Sequence, residues 1–302
     1  MPGMNSSVPA LAGLLMTLVG LAPAQSLPSR PAEASEILDD AMLLEKMTKG
    51  CAELVAKRVL LDLGKVRGEA PPRSCVLTLP EKRKGSLDGP ALRELAAKST
   101  LVVGTYHLCD HCIEWHFVGA SGVAIAHGGV VATCWHVLLD DPAQKAPKLA
   151  VADLHGRVWP VYKVLAADPE SDVCILETGA TAIPPLALEL DVRPGTRIAC
   201  LSNPDDHYAF YSEGSVARWC IVRDAPVDAP AECRPSGVPM LEVTLDFAKG
   251  SSGAPILDFQ GNVVALAQAT QTVLFDDVKD PTGLQMVFKI AAPARALARL
   301  VR

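Results

Sequence analysis

The stretch Lys249-Gly250-Ser251-Ser252-Gly253-Ala254-Pro255 places two serines between glycines in a chain of 302 residues. Glycine permits tight turns and close approach of the backbone, so N–H groups beside Ser252 can point into one small volume. Ser252 could then act as a nucleophile if a base lies within hydrogen-bonding distance. Gly and Ser are also ordinary turn formers, so the stretch taken alone is more typical of a surface turn. A histidine and an aspartate in compatible positions upstream would decide between the two interpretations.

A histidine follows an apolar strand in the segment Gly129-Val-Val-Ala-Thr-Cys-Trp-His136-Val. A ring at the end of a strand can project into a cleft and serve there as a general base. A lone histidine in such a place also fits a purely structural role. His136 is therefore a candidate base whose meaning depends on the other two residues.

Two carboxylates compete for the third position in Ala166-Ala-Asp-Pro-Glu-Ser-Asp172-Val-Cys-Ile-Leu-Glu. Asp168 precedes a proline, a pattern typical of turn initiation. Asp172 opens an apolar strand, where its carboxylate can be half-buried and accept an imidazole N–H. We favour Asp172 because the strand after it can hold the side chain rigidly.

The chain from Ser99 onward consists of about a dozen short β-type runs separated by turn residues. This spacing predicts an all-β barrel or sandwich. A helix over about Ala292 to Leu300 is predicted at the C-terminal end. Upstream, apolar residues at helical spacing from Ala32 to about Leu63 predict one or two amphipathic helices, with a break at Gly50.

Four segments together resemble the trypsin-like, chymotrypsin-fold serine peptidases, in particular bacterial exported forms of the HtrA and glutamyl-endopeptidase kind. The order His, Asp, Ser distinguishes this group from unrelated triads. The resemblance covers about Thr100 to Ile290, and no recognisable PDZ-like module follows Ile290. The segments are Ser121-Gly-Val-Ala-Ile, Ala132-Thr-Cys-Trp-His136-Val, Ser171-Asp172-Val-Cys-Ile-Leu and Gly250-Ser-Ser252-Gly-Ala-Pro-Ile.

The resemblance implies a chymotrypsin-like double β-barrel with an N-terminal helical extension and a C-terminal helix. It implies an exported serine endopeptidase that works through an acyl-enzyme, with His136, Asp172 and Ser252 as the catalytic triad. Backbone N–H groups of Gly250 and Ser252 would form the oxyanion hole. No cofactor and no metal are expected, and the expected partners are protein or peptide substrates.

Two other functions are weighed against this one. A binding protein on the same fold that does not use catalysis would retain the motifs without turnover. An esterase of the α/β-hydrolase type needs Ser before Asp before His and a Gly-x-Ser-x-Gly elbow, and this sequence has the opposite order.

Asp246 lies six residues before Ser252, where the resemblance places the aspartate of trypsin's specificity pocket. A buried carboxylate there would favour Arg or Lys at the cleaved position. The alternative is that Asp246 faces elsewhere, without such selectivity.

An apolar run from Leu11 to Leu21 is followed by Ala22-Pro23-Ala24, with small residues where a signal peptidase reads. We expect a signal peptide over residues 1–24 and a secreted or periplasmic protein; an uncleaved anchor is the competing interpretation. The run is short for a membrane span, which needs about 20 residues. We expect no stable membrane insertion after cleavage, a helical extension over 25–67, a linker and short helix over 68–98, and a peptidase domain over 99–302.

Composition excludes one broad class of partner. Hydrophobic residues make up 49% of the chain, which suffices for a large core, and the formal net charge is −6. The acidic balance provides no basic stripe of the kind that nucleic acid requires. We therefore expect no nucleic-acid partner.

Nine cysteines follow the predicted signal peptide. In an exported protein they are expected to be paired, with at least one left over. Cys109 and Cys112 have C-x-x-C spacing beside three histidines, so they fit a local disulfide, which we favour, or a tetrahedral zinc site. Cys220 and Cys233 flank a Pro-rich loop that a disulfide could staple.

Overall fold

The computed structural model describes residues 37–68, 70–223, 237–274 and 283–302. Twelve strands form two closed six-stranded barrels. The predicted all-β, chymotrypsin-like double barrel is confirmed. The predicted signal peptide, the first part of the helical extension and Cys233 with its loop lie outside the described residues.

The first barrel is formed by the first six strands, each antiparallel to its neighbours. Around the barrel they follow the order first, second, third, sixth, fifth, fourth. Val130–Thr133 and Val173–Thr178 are almost wholly buried, as expected of Val- and Ile-rich central strands. The strands are β1 Thr100–Cys109, β2 Trp115–Ala126, β3 Val130–Thr133, β4 Gln144–Ala152, β5 Val158–Asp168 and β6 Val173–Thr178.

The second barrel contains the remaining six strands, also antiparallel. Its order is tenth, eleventh, twelfth, ninth, eighth, seventh. The predicted β-type runs correspond to all twelve strands, although several strands extend further than their apolar cores. The strands are β7 Arg197–Ser202, β8 Phe210–Val222, β9 Val238–Val243, β10 Pro255–Asp258, β11 Val263–Leu274 and β12 Leu284–Pro293.

Helix α1 covers Asp40–Ala56, and the Asp39 side chain caps it by accepting from the Met42 N–H. Its buried face consists of residues at i, i+4 and i+8, which pack on the outside of the first barrel. Met42, one position before this face, is exposed. The buried residues are Leu43, Met47 and Cys51.

Gly50 does not interrupt α1, contrary to the sequence prediction. A Cβ at this position would lie 2.7 Å from Cγ2 of Val158, which belongs to β5. Glycine therefore allows the helix to approach the barrel closely. The tertiary contact explains a residue that helix propensity alone would place at a helix end.

Three short helices complete the fold: α2 Leu63–Arg67, α3 Gly89–Ser99 and α4 Ala294–Arg299. The described residues between α2 and α3 contain no further helix, yet backbone hydrogen bonds hold them to the C-terminal residues and to the β10–β11 turn. Cys75 exchanges backbone hydrogen bonds with Leu300 and Arg302, and Leu87 donates to Phe259. No helix in the described ranges has both the length and the apolar character needed to span a bilayer.

Candidate active site

His136 lies on a short 3-10 turn, Trp135–Leu138, directly after β3. Asp172 lies just before β6, the neighbour of β3, so the antiparallel pairing brings the two residues together. The Asp172 carboxylate accepts from the backbone N–H of His136 at 2.8 Å and contacts its Nδ1 at 2.7 Å. His136 is thus bound to the Asp172 carboxylate through both its backbone N–H and its imidazole ring.

Ser252 completes a chain of contacts through the ring of His136. Its Oγ lies 2.8 Å from Nε2 of His136. The hydroxyl is also 3.3 Å from the carbonyl oxygen of Gln268 on β11. With Nδ1 bound to a carboxylate, Nε2 is the nitrogen available to accept the serine proton.

Gly253 fixes the position of the segment that carries Ser252. Its φ is +85°, and a Cβ would lie 2.2 Å from the carbonyl oxygen of Ser121 and 2.3 Å from Oγ1 of Thr133. Only glycine combines this backbone conformation with this close approach. The segment is therefore pressed directly against the first barrel.

Gly250 has the same requirement on the other side of Ser252. Its φ is +90°, and a Cβ would lie 2.4 Å from the carbonyl oxygen of Asn203. Neither the Gly250 nor the Ser252 N–H donates a hydrogen bond to another residue within the described ranges. Both amides are thus available to a bound oxygen atom.

Ser121 joins the two barrels at the candidate nucleophile. Its N–H donates to the Ser252 carbonyl at 2.8 Å, and its hydroxyl donates to the Gly250 carbonyl at 3.0 Å. The same hydroxyl accepts from the side chain and the backbone of Asn203, at 3.0 and 3.2 Å. The side chain is 0% exposed. Ser121 opens one of the recognised motifs, but its role could not be predicted because its partners are distant along the chain.

Two recesses meet at Ser252. A cleft of about 510 Å³ lies on one side and includes His136, Gly104 and Gln144 among its walls. A smaller pocket of about 190 Å³ lies on the other, between Phe247–Lys249 and Gln268–Thr270. Ser252 and Lys249 border both.

Asp246 is exposed and does not border the smaller pocket, although its neighbour Phe247 does. Besides Lys249, which borders the smaller pocket, a second charged side chain lies against its walls: Lys289 on β12. Its backbone pairs with Thr270, and its ammonium donates to the Phe247 carbonyl at 2.5 Å and lies over the Phe247 ring. Lys289 thus reaches from one wall of the pocket to the other.

Asp168, the alternative carboxylate, does not contact His136. It accepts from the Glu170 N–H at 3.2 Å and lies 3.8 Å from an Arg73 guanidinium nitrogen. These are the contacts of a turn and a surface ion pair. The structure therefore brings His136 and Ser252 together with Asp172.

The cysteines differ from the sequence expectation, because none of the eight described ones forms a disulfide. Cys51 and Cys200 are core residues, and burial raises the pKa of each thiol to about 12. Cys134 and Cys174 lie near each other, but their thiols point at the carbonyls of Ala267 and Cys134. These four behave as small apolar side chains.

Two further cysteines lie close together at the turn between β1 and β2. Cys109 and Cys112 are both free, so the favoured local disulfide is absent from the structure. The Cys112 sulfur instead lies 2.9 Å from Nε2 of His116.

Residues 120–266 match the family described as a trypsin-like peptidase domain. This range is therefore similar to a trypsin-like peptidase domain. The matched range begins beside Ser121 and includes His136, Asp172 and Ser252. A search of the curated proteins gives no match.

Solved structures of similar fold include two proteases. One is the HtrA-type protease AlgW with a decapeptide: the TM-score is 0.52 at 16% identity, over 70% of this chain and 66% of that one. The other is the active form of the Rv3671c protease from M. tuberculosis, with a TM-score of 0.53 at 17% identity, over 77% of this chain and 92% of that one. At these identities the likeness shows the fold. The chain spans just under two thirds of the length of AlgW.

Proposed function

We propose that the chain is an exported serine endopeptidase that hydrolyses peptide bonds through Ser252, His136 and Asp172. The observation that carries this proposal is the unbroken contact chain through the imidazole. Asp172 lies 2.7 Å from Nδ1 and Ser252 lies 2.8 Å from Nε2. Both distances fall within the reach that proton transfer requires.

In the acylation step the Ser252 hydroxyl attacks the scissile carbonyl carbon while His136 Nε2 takes its proton. Asp172 keeps the N–H on Nδ1 and stabilises the imidazolium that forms. The imidazolium then donates its proton to the leaving amine. The products of this step are a free amine and an ester on Ser252.

In the deacylation step water replaces the departed amine. His136 removes a proton from the water, whose oxygen attacks the ester carbonyl, and returns that proton to Ser252. The carboxylic acid product leaves, and the hydroxyl is restored. The same three side chains therefore serve both halves of the reaction.

The oxyanion formed in each half would be bound by the amides of Gly250 and Ser252. Their N–H groups have no acceptor among the described residues, and the left-handed Gly250 fixes the turn between them. Donors placed in advance cost no reorganisation during the reaction. Losing one typically costs about 3 kcal/mol of transition-state stabilisation.

The two recesses support cleavage within a chain rather than at its end. Ser252 lies between the 510 Å³ cleft and the 190 Å³ pocket, so substrate residues can be bound on both sides of the scissile bond. The AlgW structure contains a decapeptide, which is consistent with peptide binding on this fold.

The smaller pocket favours substrates without a positive charge at the residue before the scissile bond. Lys249 borders that pocket, and the Lys289 ammonium lies against its Phe247 wall. Both would repel Arg or Lys in so small a space. The exposed position of Asp246 gives less support to basic selectivity than its place in the sequence does.

Export is proposed on the N-terminal sequence pattern alone. The mass of the first peptide of protein isolated from the producing cells would test it: a chain beginning at Gln25 agrees with a signal peptide over 1–24. A chain that retains Leu11–Leu21 contradicts cleavage.

Hydrolysis of unstructured proteins by the wild type and the Ser252→Ala variant tests the function. We expect the wild type to cut at internal bonds and Ser252→Ala to cut none, with products identified by mass spectrometry. Equal cleavage by both proteins would contradict the assignment. Release of terminal residues only would contradict an endopeptidase.

The second candidate is a binding protein on this fold that performs no catalysis. The hydrogen-bonded His136 and Ser252 favour the enzyme, because a binding surface does not need a base in contact with a serine. Reaction with a fluorophosphonate separates the two, since only an activated serine is labelled.

A further inference from the structure

The β1–β2 turn carries a group of metal-type side chains that the proposed peptidase reaction does not use. One ligand atom from each of Cys109, Cys112 and His116 lies within 4.8 Å of the other two. In a tetrahedral zinc site, bond lengths of about 2.0 to 2.3 Å place neighbouring ligand atoms about 3.5 Å apart. The three side chains therefore already surround a space close to the size of a zinc site.

All three residues of this group belong to one turn and the two strands that it joins. Cys109 and Cys112 lie at either end of a tight turn, and the backbone N–H of His111 points at the Cys109 sulfur at 3.4 Å. An N–H directed at sulfur favours the thiolate, which is the form that binds metal. Antiparallel pairing of β1 and β2 then brings His116 back beside the turn.

A second, independent observation comes from His107. Its side chain is only 6% exposed, and its Nδ1 has no hydrogen-bonding partner. Buried polar atoms without a partner are rare in folded proteins. His107 is the cross-strand partner of His116, and the two ring centroids are 6.5 Å apart. The pairing places the unpartnered imidazole of His107 beside His116, next to the three-residue group.

We propose that Cys109, Cys112, His116 and His107 form a structural zinc site, named here the hairpin zinc site. Two thiolates and two imidazoles are the donors that zinc prefers, whereas calcium and magnesium prefer oxygen. None of the four residues borders the cleft at Ser252. The site is therefore separate from the proposed catalytic residues.

The site would stabilise one wall of that cleft. Cys109 pairs in register with Gln144 of β4, and Gln144 borders the cleft and lies 2.8 Å from the Thr105 hydroxyl. Asp110 forms an ion pair with Lys145, the next residue of β4. Zinc at the turn would hold the β1–β2 hairpin and the edge of β4 in one arrangement.

Metal analysis and cobalt spectroscopy of the full-length protein test this proposal. In a non-thiol reductant we expect one equivalent of bound zinc and, after exchange with Co²⁺, the thiolate charge-transfer and visible bands of tetrahedral cobalt. Cys109→Ser and Cys112→Ser should lose both signals. Cys220→Ser should keep both, because Cys220 lies on β8, outside the cluster.

X-ray absorption of the zinc-loaded protein decides the ligand set. For the wild type we expect two sulfur neighbours and two imidazole rings, and His107→Gln should lose the outer-shell scattering of one ring. Absence of metal, retention of zinc by Cys112→Ser, or a Cys109–Cys112 disulfide in the protein as isolated would overturn the proposal. Zinc content and cobalt spectra do not depend on hydrolysis, so this result stands apart from that for Ser252.

Discussion

Asp172 holds His136 and the residue before it through three of its own oxygens. One carboxylate oxygen accepts from the His136 N–H, the other contacts Nδ1, and the Asp172 carbonyl accepts from the Trp135 N–H. Its φ of +55° is uncommon for a residue other than glycine. Aspartate is one of the few residues that adopt this left-handed conformation readily, and Asp172 in it directs its carboxylate to the ring.

The two competing aspartates provide a matched test of the proposed triad. Asp172→Asn should lower kcat/KM by about four orders of magnitude, because the amide no longer favours the tautomer that leaves Nε2 free. Asp168→Asn should change it little, since Asp168 contacts only Glu170 and Arg73. Peptide hydrolysis by both variants measures the difference. A similar loss in both, or a larger loss for Asp168→Asn, would contradict the choice of Asp172.

Ser121 offers a test of how the nucleophile segment is supported. Ser121→Ala removes a buried hydroxyl that binds Asn203 and the Gly250 carbonyl, so it should cost about 1–3 kcal/mol of unfolding free energy and slow labelling of Ser252. Urea denaturation and the fluorophosphonate labelling rate measure the two effects. Ser86→Ala, at an exposed serine, is the control. Unchanged stability and labelling in Ser121→Ala would show that the network does not support the site.

The residues of the candidate site could be predicted because each one has a recognisable sequence context immediately around it. His136 after a strand, Asp172 before one and Ser252 between glycines can each be recognised within a few positions. Ser121 and Lys289 could not be assigned in this way. Their roles depend on Asn203, Gly250 and Phe247, which lie far away along the chain and approach only when the barrels close.

At the scale of secondary structure, alternating and apolar runs predicted the strands because each barrel buries one face of every strand. Strand ends were less predictable, since pairing extends β11 and β12 into exposed residues that carry no apolar signal. Gly50 shows a different error, in which the sequence predicts a helix end that the structure does not have. Helix propensity predicted a break where close packing against Val158 requires glycine.

Replacing one glycine on α1 and one on α2 by alanine distinguishes the effect of helix propensity on stability from the effect of packing. Gly50→Ala should lower the unfolding free energy, because crowding against Val158 costs about 1–3 kcal/mol while helix propensity returns at most about 1 kcal/mol. Gly64→Ala has nothing within 4 Å of the new Cβ and should raise it by about 0.5–1 kcal/mol. Urea denaturation of both variants measures the signs. A stabilised Gly50→Ala protein would show that α1 can move away from β5.

Strand β12 is expected to influence substrate choice through Lys289. Lys289→Met keeps the contact with Phe247 but removes the charge, so cleavage after Arg or Lys should rise about tenfold. Asp246→Ala should leave the profile unchanged, because Asp246 is exposed. A peptide library measures both profiles. A wild-type preference for Arg or Lys that Asp246→Ala abolishes would instead support the specificity aspartate.

At the scale of the whole molecule, the candidate site exists only where the two barrels meet. The first barrel supplies His136, Asp172 and Ser121, while the second supplies Gly250 and Ser252. The segment between α2 and α3 accepts a hydrogen bond from Ala167 of β5 through the Pro72 carbonyl, and it also binds the C-terminal residues and the β10–β11 turn, so it connects the two halves from outside. The order of the motifs along the sequence predicted this architecture through its resemblance to a known fold.

Cysteine pairing could not be predicted from composition at this scale. A disulfide requires two sulfurs in one specific geometry, and spacing along the chain does not define it. Most of the described cysteines are instead buried separately in the cores or lie at the hairpin turn. The two thiols of the turn can form the proposed metal site only together with His116 and His107, which the β1–β2 pairing brings close to them.

Fluorophosphonate labelling followed by peptide mapping tests the central claim, activation of Ser252 by His136, most directly. The wild type should carry one adduct, on Ser252 and not on the neighbouring Ser251. Ser252→Ala should carry none, and His136→Ala should react far more slowly while remaining folded. An adduct on another residue, or equal labelling of Ser252→Ala, would contradict the account.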